Sequence, residues 1–78
     1  MKIQITKKHI EQGKRGRSTL CPIALALKEK GFECVKVNAE TVEVDGTDLV
    51  LSKQEARFVE LFDDGRPVKP FVFRLKFS

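Results

Sequence analysis

Polar and apolar residues alternate from the first positions. Ile3 and Ile5 interleave with Lys2, Gln4 and Thr6, a period of two that predicts a half-buried strand over "KIQIT". Thr6 is placed to cap a short helical turn over "KKHIEQ", with Gly13 ending it in a left-handed conformation. After the loop "KRGRST" the period changes to that of a helix over "PIALALKEKG". Pro22 suits its first position and Gly31 its C′ position, which makes Cys21 the N-cap. Leu20, Ile23, Ala24 and Leu27 share one face of it, and Lys28 and Lys30 sit where the helix dipole favours cations.

Alternation returns in "ECVKVN" and "TVEVDG", which predict a hairpin. Asp45-Gly46 marks a second turn, and "DLVL" adds a third strand. Ser52 followed by Glu55 has the spacing of a capping box, opening a helix over "KQEARFVELFDD" with Phe58, Val59 and Phe62 inward and Gly65 as its stop. The last strand is "FVFRLKF", where Phe71, Phe73, Leu75 and Phe77 alternate with Val72, Arg74 and Lys76. This order predicts an α+β fold, a single-layer and mostly antiparallel sheet with two helices packed on one face. The first and last strands are candidates to pair centrally, and six Phe join the aliphatic residues in the core. Residues 1–78 are read as a single domain, which at this size buries roughly 60% of the surface its unfolded chain exposes.

Composition adds few constraints. No apolar run approaches the ~18 residues of a membrane span, and lysines 2, 7 and 8 interrupt any signal-like stretch, so a soluble, cytoplasmic protein is expected. Two cysteines are too few for a disulfide scaffold. Both are read as free, packed thiols, Cys34 because it alternates with apolar positions. Cys21, Cys34 and His9 are too few and too irregularly spaced for zinc, so no metal or cofactor is expected. The net charge of +4 is unevenly spread: residues 1–36 balance at +6, residues 37–65 at −6, and residues 66–78 at +4.

Candidate chemistry gathers in "HIEQGKRGRSTLCPIAL". The N–H groups opening a helix at Pro22 would face the loop before it, and a helix N-terminus attracts anions. Lys14, Arg15 and Arg17 add charge, Ser18 and Thr19 add hydroxyls, and Gly13 and Gly16 let a ligand approach the backbone. These parts describe a phosphate site, although neither a Walker nor a dinucleotide motif is present. The plain alternative is a solvated basic loop whose hydroxyls only cap a helix. Cys21 at a helix N-terminus beside Arg17 is expected to have a lowered pKa, and His9 is the one histidine that the loop can fold toward it. A Cys–His pair is the minimum for nucleophilic catalysis. No third, orienting group is evident, so no catalytic residue is assigned. A capping role suits both residues better. The acidic residues 40, 43, 45 and 48 read as solvated strand faces and turns.

"ITKKHIEQGKRG", "CPIALAL" and "FDDGRPVKPFVFRL" together resemble a family of small uncharacterised proteins from bacteriophage and bacterial genomes. The shared patterns are HIxxGxRGxxxxCPIALAL and FDxGxxVxPFxFxL, at the two ends of the chain. The resemblance implies a phage-encoded product acting inside a bacterial host cell, where such proteins counter host defence. It assigns no activity to any residue.

The expected function is therefore non-enzymatic binding of a phosphate-bearing ligand, a nucleotide or cyclic-nucleotide signal. Lys14, Arg15, Gly16, Arg17, Ser18 and Thr19 are the ligand residues, with Cys21 and His9 beside them. A second protomer is expected to help enclose it. The alternatives are nucleic-acid binding through the same basic segments and inhibition of a host protein through an interface.

Overall fold

The computed structural model describes residues 2–75. In chain order its elements are β1 (Lys2–Ile5), α1 (Lys7–Gln12), α2 (Pro22–Glu29), β2 (Val35–Val37), β3 (Thr41–Val44), β4 (Thr47–Val50), α3 (Lys53–Asp63) and β5 (Phe71–Arg74). The class is α+β and every strand pairing is antiparallel. The strands divide into two sheets, however, in place of one continuous layer. β1 and β5 form a two-stranded ribbon, while β2, β3 and β4 form a meander in that order. The first and last strands do pair, with Ile3 opposite Phe73 and Ile5 opposite Phe71. Lys76 and Phe77 of the predicted last strand lie outside the described residues.

Local chemistry explains most boundaries. Thr6 and His9 form a reciprocal capping box that makes "KKHIEQ" a helix: His9 N donates to Thr6 Oγ1 at 3.3 Å, and Thr6 N donates to His9 Nδ1 at 3.0 Å. Pro22 opens α2, and Gly31 follows it at φ +107°. Ser52 Oγ accepts from Glu55 N at 3.4 Å to open α3, and Gly65 at φ +77° ends it. Asp45 and Gly46 both take positive φ, the geometry of a tight hairpin turn. Asp45 Oδ1 also accepts from Glu33 N and Cys34 N, which pins the start of β2 to that turn.

Gly13 corrects one expectation. Its φ is −67°, not left-handed. Closeness is what requires glycine here, because a methyl at this position would lie 2.7 and 2.8 Å from the Pro22 ring carbons. Cys34 corrects another. Val35 and Val37 take the inward side of β2, so residue 34 falls on the opposite parity and is exposed.

α2 is the common support of both sheets, packing against β1 and against β2. Ile23, Ala24 and Leu27 are fully buried there with Ile3, Ile5 and Val42. Leu20, predicted on the same face, is half-buried. The phenylalanines share the core unequally. Phe58, Phe62 and Phe73 are buried, Phe32 and Phe71 partly so, and Phe77 lies outside the described residues. Phe71 links α3 to the ribbon, its ring centroid 4.8 Å from Phe58 and 5.6 Å from Phe73.

Candidate functional site

The loop between α1 and α2 is held by its own backbone and by its neighbours. Gly13 N donates to His9 O, Lys14 N to Leu20 O at 2.9 Å, and Leu20 N to Arg17 O at 3.1 Å. Val37 N donates to Ser18 O at 2.8 Å, which fastens the loop to β2. Gly16 turns at φ +69°, and its N–H donates to Asp63 Oδ1 at 3.2 Å. The Arg15 guanidinium lies over Gly65, so close that a methyl there would sit 3.0 Å from its Nη1. Arg15 and Gly16 thus meet the C-terminal end of α3, where the helix dipole, Asp63 and Asp64 gather negative charge.

Where this loop faces α3, an open cleft of about 670 Å³ forms. Gly16, Arg17, Ser18 and Cys21 line it from the loop side. Asn38 and Glu40 line it from the turn after β2. The wall from α3 carries Lys53, Arg57, Glu60 and Asp63, ending at Asp64, and Val37, Ala39, Ala56 and Val59 supply apolar lining. Three cations therefore face four carboxylates. One internal pair is formed among them, Arg57 Nη1 to Glu60 Oε2 at 3.8 Å.

Of the residues singled out from the sequence, Gly16, Arg17, Ser18 and Cys21 come together at this cleft. Lys14 and Thr19 do not line it. Lys28 Nζ donates to Thr19 O at 2.8 Å, outside it. His9 is drawn elsewhere. It is buried, its Nδ1 faces Thr6, and its Nε2 pairs with Glu29 Oε2. Nδ1 accepts from the Thr6 N–H, and Nε2 is directed at the carboxylate. Both nitrogens are occupied, and His9 is not placed as a base for Cys21.

The expected activation of Cys21 is overturned as well. Burial pushes its thiol pKa up, and the nearby Asp63 charge adds to that. The N–H groups of Ala24 and Ile23 pull the other way without prevailing. The N–H groups of Ile23 and Ala24 are thus directed at the thiol, and Pro22, Ile23 and Ala24 are themselves buried. Cys34 is the accessible thiol. Iodoacetamide at neutral pH is accordingly expected to label Cys34 alone in the native protein, and Cys21 only after denaturation. Peptide mapping of the labelled protein checks this, and prompt labelling of Cys21 would contradict the burial argument.

Lys53, Arg57, Glu60 and Asp64 escaped the sequence reading, although a signal was present. They recur at spacings of three and four and so share one face of α3 and its C-cap, beside the apolar stripe. Glu55 lies buried on that helix, and desolvation raises its pKa against the pull of the Ser52 and Glu55 N–H groups. Among the described residues, no three His, Cys, Asp or Glu side chains group as a metal site, and no helix is long and apolar enough to cross a membrane. Compared with known proteins, the chain matches no family model, no curated protein and no solved structure.

Proposed function

We propose that the chain is a small binding protein that takes a phosphate-bearing ligand of the nucleotide class in the cleft between the 13–21 loop and α3. One observation carries this reading, the mixed lining of that cleft. Arg17, Lys53 and Arg57 offer charge-assisted donors suited to phosphate, and Ser18 adds a hydroxyl. A bare anion is poorly served there, because the four carboxylates outnumber the cations. A nucleotide is better served. Its ribose hydroxyls and exocyclic amines are donors that carboxylates accept, and Val37, Ala39, Ala56 and Val59 suit the face of a base. The volume also lies within the several hundred cubic ångströms of ordinary ligand sites. Given the resemblance of the chain's two ends to small phage and bacterial proteins, the role we assign is withdrawal of a nucleotide signal used in host defence.

Arg15 separates this reading from that of a generic basic loop. It lies on Gly65 and does not line the cleft. Calorimetric titration with mono-, di- and cyclic nucleotides is expected to find a binder, with inorganic phosphate weaker. Arg17→Ala and Arg57→Ala should each weaken it by about tenfold or more, the worth of a charge-assisted hydrogen bond. Arg15→Ala should leave the affinity unchanged and lower the melting temperature. The proposal fails if no nucleotide binds, or if Arg15→Ala removes binding that the other two changes spare. It fails too if affinity grows with oligonucleotide length and drops steeply with salt, the behaviour of a polyanion binder.

A further inference from the structure

The outward faces of the two sheets carry the same arrangement with opposite charge. On the ribbon, Lys2 stands directly opposite Arg74, and Gln4 opposite Val72. On the meander, Glu43 stands directly opposite Asp48, and Thr41 opposite Val50. Each face thus has one like-charge pair across two strands and, two residues along, an exposed valine opposite a polar residue. Like charges set directly opposite destabilise a sheet, because such side chains are only about 5 Å apart at Cβ. Among the described residues none of these four charged groups takes part in a salt bridge. Lys36 stands opposite Glu43 from β2, which leaves Asp48, at the β4 edge, as the less balanced carboxylate. Val50 and Val72 are the two large apolar side chains most exposed to solvent among the described residues, at 83% and 44%.

We propose that the ribbon face of one copy of this chain docks on the meander face of a second copy. Charge complementarity argues for it, since the repulsion within each face becomes attraction between faces. The spacing agrees. Val72 lies two positions from Arg74, and Val50 two positions from Asp48, about 6.6 Å along a strand in both cases. With β5 of one copy antiparallel to β4 of the other, seating Arg74 on Asp48 also brings Val72 to Val50. That contact removes both exposed valines from water. It joins unlike faces, so each copy offers a further copy its other face, and assembly either closes reciprocally or as a ring, or continues.

Sedimentation velocity of the whole chain tests this through charge reversal. The wild type should self-associate, less strongly as salt rises. Arg74→Glu alone and Asp48→Lys alone should each raise the dissociation constant by about tenfold or more. Mixing the two variants should restore association, as should the double variant, because unlike charges then meet again. Melting curves confirm that each variant is folded. A monomeric wild type overturns the proposal, and so do single variants that associate normally or a mixture that stays apart. A monomer that instead retains a single-stranded oligonucleotide, and loses it on Arg74→Glu, would overturn it by assigning the basic face to a polyanion.

Discussion

Leu27→Ala is expected to lower the unfolding free energy by about 3 kcal/mol, within the range for a fully buried leucine cut to alanine. Leu27 is wholly buried on α2, which packs against a strand of each sheet. A cavity there is open to neither relief, because collapse toward one sheet draws the helix off the other. For a domain of this size such a loss lowers the melting temperature by about 15 °C. It is also a large part of the total stability that so short a chain can hold. Calorimetry of the variant checks the figure. A fall no larger than that of an exposed substitution would mean that α2 does not couple the two sheets.

His9→Ala should rank next, at about 2 kcal/mol, since it deletes a buried side chain and two hydrogen-bonding roles at once. The ring closes the capping box with Thr6 and ties α1 to α2 through Glu29. His9→Gln can keep the acceptor that the capping box needs at its third position while losing the ring's pairing with Glu29, so it should recover part of the loss. The pair also gives stability an acid-side dependence. His9 holds the Glu29 pKa below its ordinary 4.5, first by the hydrogen bond and then by charge. A carboxylate with a lowered folded pKa contributes fully above its unfolded value, and the contribution disappears as pH falls through the folded value. Denaturation midpoints of Glu29→Gln should therefore change less than those of the wild type below pH 4.5. Parallel curves would show that the pair adds nothing there.

Secondary structure was legible wherever its cause was local. The alternation of Ile3 and Ile5, Pro22 with Gly31, Asp45-Gly46, and Ser52 with Glu55 each act within a few residues, and each marks an element of the fold. What escaped depends on partners far along the chain. Gly13 is required by its closeness to Pro22 and not by a left-handed turn. The single sheet divides because β5 belongs with β1, while β4 leads away into α3. The parity of Cys34 follows from where β2 is pinned by Asp45, a register that alternation around residue 34 does not fix. The site shows the same limit. Nothing near Arg15 and Arg17 distinguishes them in sequence, yet the end of α3 takes the first while the cleft keeps the second. His9 meets Glu29 and not Cys21 because α1 packs on α2, a contact that no spacing encodes.

The ribbon has a consequence for the order in which the molecule is assembled. β2, β3 and β4 are consecutive and close through short turns, so the meander can form as soon as its residues exist. β1 is made before them, but its strand partner among the described residues is β5, across nearly the whole described chain. During synthesis Ile3 and Ile5 must wait, unpaired and apolar, until Phe71 and Phe73 arrive. Closing that loop carries the largest chain-entropy cost of the strand pairings described. The interval before it is when an unprotected strand is open to the wrong neighbour.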